Sequence, residues 1–223
     1  YKIMQGNSLI ESYKGLDLSK LTYEKEGKKD RGEVELFDDE KKLMQKRLSI
    51  LLSKYYSCSD HDEKERIKQE IFETIYLQLK QLAYSDAILS ELKNINFAEN
   101  NQFFLWHTWF SDVFNRPNGK SGFDIVIGNP PYVVTNKSDY PQFKWNSDLY
   151  KMFYEMAINS LLNANGYLCF ITPKFWMLNL EDEQMRLAFN SYLQIKQIAL
   201  CNPFDNAVTE NTIVLCLKKK KKQ

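Results

Sequence analysis

Residues 123–132 read Phe-Asp-Ile-Val-Ile-Gly-Asn-Pro-Pro-Tyr, and the reading of this stretch decides the fold. A short apolar run, Ile125 to Ile127, ends in Gly128 and then in Asn129-Pro130-Pro131-Tyr132. A run of this length bounded by turn residues reads as a buried parallel strand that leads into a stiff, exposed turn. In open α/β sheets, ligands bind beyond the carboxyl ends of the strands, and this turn falls at such an end. The two prolines fix φ, so the turn loses little entropy on binding. The Asn129 side-chain carbonyl and the Pro130 backbone carbonyl are two acceptors that can hold both hydrogens of one amino group. The Tyr132 ring can cover a flat heterocycle from one face, a contact of about 1–3 kcal/mol per base.

Outward from this strand, the chain alternates strands and helices. Residues 148–163 predict a helix with Leu149, Phe153, Met156, Ala157, Ser160 and Leu161 on one face, ended by Asn165-Gly166. Tyr167–Thr172 reads as a strand, 181–192 as a shorter helix, and Ile195–Cys201 and Thr212–Leu217 as two further strands. That alternation argues for a mainly parallel sheet with helices on both faces. On the other side, residues 102–114 are densely aromatic and read as a helix or loop packed on a core. Residues 38–57 and 60–93 carry leucines and isoleucines at helical spacing, with Asp38 and Asp39 at the start of the first and Ser59 or Asp60 as a cap for the second. Together they predict an antiparallel helical hairpin. Residues 15–37 are charged and read as a mobile loop, and residues 2–5 as a short strand that stops at Gly6-Asn7-Ser8-Leu9.

The chain has 223 residues, 43% hydrophobic and 14% aromatic, enough for one α/β domain with an insertion. Its net charge of +1 excludes a global basic field, so nucleic-acid contact has to come from a local patch. Cys58, Cys169, Cys201 and Cys216 have no CxxC spacing and read as reduced thiols of a cytosolic protein, with no metal site. No apolar run is long enough to span a membrane, and no signal peptide is visible. Acidic-x-Lys triplets such as Asp39-Glu40-Lys41 lie on expected helices and read as surface charge rather than as a nuclease cluster. An opening on Tyr1-Lys2-Ile3-Met4 and a close on Lys218–Lys222 fit an excised piece of a longer protein.

The chemistry of the turn follows from its acceptors. An aromatic amine is a poor nucleophile because its lone pair is spread into the ring. Two acceptors placed off the ring plane draw the nitrogen toward tetrahedral geometry and localise that pair. The proton can then leave after attack. Methyl transfer from a sulfonium donor, where positioning supplies much of the rate, suits such a site.

Asn129-Pro130-Pro131-Tyr132 after Asp124-Ile125-Val126-Ile127-Gly128 resembles the catalytic motif of the amino-methyltransferases that modify adenine in DNA. Asp148-Leu149-Tyr150-Lys151-Met152-Phe153 is similar to the helix motif that follows, and Gly166–Pro173 to the next strand motif. Phe204 with Ala207–Val214 resembles the late motif whose aromatic flanks a flipped base. Gly6-Asn7-Ser8-Leu9 is similar to the strand end near the cofactor's adenine, and residues 103–114 to the segment before the catalytic strand in type IIG restriction–modification enzymes. The resemblance implies an α/β fold: a partial, Rossmann-like methyltransferase mixed sheet with an inserted α-helical hairpin. Residues 1–14 and 102–223 would form the partial methyltransferase core and 15–101 the helical insertion. It implies that Asn129 and the Pro130 carbonyl bind the target amino group on a corner stiffened by Pro131. Tyr132 would stack on the base and Phe204 cover its other side. Phe153 and Asn7 would bind the adenine of S-adenosylmethionine, Asn7 where the family often has Asp.

The partner implied is double-stranded DNA, with the target base flipped out of the stack. The location implied is the bacterial cytoplasm, with Mg needed only where the parent protein carries a nuclease region. The family's glycine-rich cofactor motif is absent from the 223 residues. The expectation is therefore an incomplete cofactor site, an inactive isolated fragment, and an exposed sheet edge through which it can self-associate. Two other readings stay open at this point. One is a methyltransferase for protein glutamine or RNA guanine, and the other a non-catalytic DNA- or partner-binding subunit.

Overall fold

The computed structural model describes residues 4–21, 37–81, 85–116, 120–145, 147–201 and 210–219. The chain forms two compact units, residues 1–115 and 116–223.

In the first unit, a two-stranded hairpin of β1 (Ser12–Tyr13) and β2 (Leu16–Asp17) turns at Lys14 and Gly15, both at positive φ. Sequence reading had no element there. Helix α1 (Phe37–Ser57) buries Leu48, Leu51 and Leu52. Helix α2 (His61–Gln81) buries Ile67, Ile71, Ile75 and Leu79, and Asp60 caps it by accepting from the Glu63 amide at 2.8 Å. The two helices pack on each other through a shared apolar cluster. The helix expected over 60–93 is two helices, because Ser85 caps a separate α3 (Asp86–Lys93). The aromatic segment follows, with α4 (Trp106–Trp109) and α5 (Ser111–Phe114). Phe72 of α2 meets Trp109 and Phe97 edge to face, at 6.4 and 5.4 Å between ring centres. The Tyr56 hydroxyl donates to the Trp109 carbonyl.

The second unit is a four-stranded mixed sheet with helices. Strand β3 (Phe123–Gly128) lies parallel to β4 (Leu162–Pro173), and the crossover between them carries α6 (Leu149–Met156), which continues as a π-turn over Ala157–Leu161. After β4 come α7 (Glu183–Tyr192), β5 (Leu193–Cys201) and β6 (Asn211–Lys218). The order across the sheet is β3-β4-β6-β5, and β6 is antiparallel to both its neighbours. The fold is thus α/β with a mixed sheet, and one pairing in three is parallel, so the mainly parallel expectation does not hold. No helix intervenes between β5 and β6 among the described residues, and a short connection forces antiparallel pairing.

One face of the sheet carries Val126, Leu168, Phe170, Val214 and Cys216, packed with Tyr150, Tyr154, Trp176 and Phe189. Burial of each large side chain here is worth about 2 kcal/mol. The opposite face carries Ile125 and Ile127, which are 65% and 76% exposed. The expectation of a buried strand is therefore corrected: β3 is a half-buried edge strand whose outer edge has no strand partner among the described residues. Within this unit the helices cover one face rather than two.

Candidate active site

The ladder between β3 and β4 ends at the pairing of Gly128 with Phe170. The packing is close there, since a Cβ on Gly128 would lie 3.3 Å from the Phe170 ring. Beyond it the chain turns through Asn129-Pro130-Pro131-Tyr132 with all peptides trans. Pro130 is buried and anchors the turn, while Asn129 and Pro131 are exposed. The Tyr132 ring is 39% exposed and stands edge-on to Tyr150, with the ring planes 86° apart. Its hydroxyl lies 2.9 Å from Asn129 Oδ1 and 3.0 Å from the Ile171 carbonyl oxygen. Burial, then the Cys201 thiol, pushes the Tyr132 pKa above its usual value, so the phenol remains a neutral donor at ordinary pH.

The far side of the turn is tied down by α6. Leu149 N donates to the Val133 carbonyl, and Val134 bridges to Asp148. One residue into the helix lies Tyr150, and one turn further lies Phe153, half-buried against the core cluster. Between them sits Lys151, its side chain 8% exposed and its ammonium 2.7 Å from Asp148 and 2.6 Å from Asp182. Burial works against this charge, but the hydrogen bonds and attraction of the two carboxylates outweigh it and hold the Lys151 pKa above the usual lysine range. Asp182 closes the loop that follows β4, so the ammonium ties that loop to the helix start beside the turn.

The structure brings Asn129, Pro130, Pro131 and Tyr132 together as expected neighbours, with Phe153 on the adjoining helix. Phe204 lies outside the described residues, as does the stretch Ala207-Val208-Thr209. Asn7 belongs to the first unit. Its side-chain oxygen accepts from the Leu9 amide at 3.2 Å, and the neighbouring Gly6 is pressed so close to the Phe103 carbonyl that no Cβ fits. Trp106 Nε1 donates to the Ser8 carbonyl, and Glu11 binds both the amide and Nδ1 of His107. The Gly6–Leu9 stretch and the aromatic segment are thus joined. Sequence reading missed Tyr150, Lys151 and Asp182. The signal available was two charged residues, Lys151 and Glu155, in an otherwise apolar helix.

The sequence pattern of the Eco57I restriction-modification methylase family matches residues 34–206, which includes α1 to α3 and the Asn129–Tyr132 turn. The chain belongs to this family and carries a restriction–modification methyltransferase core. A protein of Methanocaldococcus jannaschii named as a type II restriction enzyme and methyltransferase is 29% identical over 112 residues, 45% of this chain. The chain spans only 9% of that relative's length. A solved structure from Listeria monocytogenes, named as a class I S-adenosylmethionine-dependent methyltransferase, is similar with a TM-score of 0.41 and 14% identity, covering 70% of this chain and 52% of that one. No helix among the described residues is long and apolar enough to cross a membrane.

Proposed function

We propose that this chain carries the amine-binding half of a DNA adenine-N6 methyltransferase, acting on an adenine flipped out of double-stranded DNA. The observation that carries the reading is the exposed Asn129 side chain at the carboxyl end of β3, held by a buried proline and flanked by a half-exposed aromatic ring. Asn129 Oδ1 and the Pro130 carbonyl accept the two hydrogens of the adenine amino group and localise its lone pair. The Tyr132 ring stacks on the base, and Phe204 covers its other side. The partly open ring of Phe153 fits an adenine group. That ring fits S-adenosylmethionine as the donor. When bound, that donor supplies a methyl group activated by its sulfonium. The chain's own part is to aim the amine, exclude water from it and let its proton go afterwards. Fusion to a nuclease is part of the same proposal for the whole protein, supported by an archaeal relative named as both restriction enzyme and methyltransferase, and Mg would serve that nuclease alone.

The test is Asn129→Ala in the intact methylase. Loss of this acceptor is expected to lower methyl transfer about a hundredfold or more, by analogy with removing one polar group from an oxyanion site. Affinity for S-adenosylmethionine should be nearly unchanged. Methylation at the normal rate by the variant refutes the role of Asn129.

A further inference from the structure

The amide of Asn129 has two unlike ends, and only one of them can receive an amine. If the side chain turns over, it presents NH2 to NH2, and the site repels its target. Something has to choose the correct end. Among the described residues, the hydrogen-bond partner of this side chain is the Tyr132 hydroxyl, 2.9 Å from Oδ1. A hydroxyl hydrogen selects oxygen over nitrogen. It occupies one of the two lone pairs and leaves the other for the amine. The same hydrogen is shared, in a three-centre bond, with the Ile171 carbonyl oxygen, 3.0 Å away and one residue past the last β3–β4 pairing, so the hydroxyl is also located from the sheet. The ring is braced edge-on by Tyr150. The amide orientation is thus set by a line from the β4 backbone through the phenol to Asn129.

We propose that the Tyr132 hydroxyl is a positioning group, distinct from the stacking ring, that holds the Asn129 carbonyl toward the target amino group. This rests on the reading of Asn129 as the amine acceptor. It separates two tasks within one side chain: the ring receives the base, and the hydroxyl aims the catalytic amide.

The experiment uses the intact methylase, a DNA duplex carrying its target site, and 2-aminopurine at the target position to report flipping. Tyr132→Phe keeps the ring. Its kcat is expected to fall about tenfold, while the KM for DNA and the flipping signal stay within about twofold. The deciding comparison is the same change in an Asn129→Asp background. A carboxylate has two equivalent oxygens and no wrong end, so there the loss of the hydroxyl should cost less than about twofold. A general weakening of the fold would cost the same in both backgrounds, and equal losses would overturn the proposal. So would a Tyr132→Phe enzyme with unchanged kcat, or one whose flipping signal is lost along with its rate. If the wild-type enzyme methylates no adenine in DNA, the functional reading fails instead.

Discussion

Gly122 sits at φ +108 just before β3, where a Cβ would lie 2.6 Å from the Leu161 carbonyl oxygen and 2.8 Å from the Asn163 amide. Both obstacles are backbone, and neither can swing aside. Gly122→Ala is expected to destabilise the second unit by about 2–3 kcal/mol, measured by urea unfolding, since it adds backbone strain to a clash. A loss below about 0.5 kcal/mol would show that β3 can shift to make room. At this scale the sequence was readable where the chemistry is local. The corner Asn129-Pro130-Pro131-Tyr132 could be named from residue types alone, because proline geometry and amide chemistry belong to the residues themselves. The bond from Tyr132 to Asn129 and Ile171 could not, because it depends on where β4 stops relative to β3.

Helix α6 shows what changes between residue and element. Of its expected face, Met156, Ala157 and Leu161 are buried, but so are Tyr150, Met152, Tyr154 and Ile158, which lay outside that face. A single apolar stripe could not describe a helix that buries side chains on more than one face. Tyr154 is fully buried with its hydroxyl 3.3 Å from Thr172 Oγ1, and Lys151 is buried with two carboxylates. Lys151→Met removes the cation and leaves Asp182, 5% exposed in its side chain, facing Asp148 without a counter-charge. We expect a loss of about 3–5 kcal/mol in denaturant unfolding, as for other broken buried pairs. Adding Asp182→Asn should restore part of it. Failure of the second change to recover any stability would mean that the lysine acts through packing rather than charge. Because the Lys151 pKa is raised, its contribution is present below the ordinary lysine value and fades only as pH rises through the shifted one. The tether therefore holds throughout the neutral range. The ends of β5 and β6 were legible to within two residues, whereas β4 starts at Leu162, five residues before the expected Tyr167, so that Asn165-Gly166 lies inside the strand rather than after a helix. The β1–β2 hairpin was not, because each strand has two residues and no periodicity to read.

For the whole chain, the resemblance of its motifs implied the mixed α/β sheet that is found and helical spacing the helical pair, while the alternation of elements alone erred on the direction of the strands. Alternation of strands and helices suggests parallel pairing, but among the described residues no helix separates β5 from β6, and they pair antiparallel. Their exposure erred for a related reason: a run of three apolar residues reads the same whether one face or both are covered, and Ile125 and Ile127 lie on the bare one. That bare face, on a strand with no outer strand partner among the described residues, gives a molecular-scale expectation. The isolated chain should self-associate as its concentration rises in sedimentation experiments, and charges at both positions, Ile125→Lys with Ile127→Lys, should suppress this. A chain that stays monomeric at every concentration would contradict it. The placement of β6 has a further consequence. It is made after β5, yet it lies between β4 and β5. During translation β5 therefore emerges with nothing to pair with. At ordinary elongation speeds the ribosome needs about one to three seconds more to deliver the strand that joins it to the sheet. For that interval a nascent apolar ribbon waits for its own missing centre, and it is then that chaperones would have most to protect.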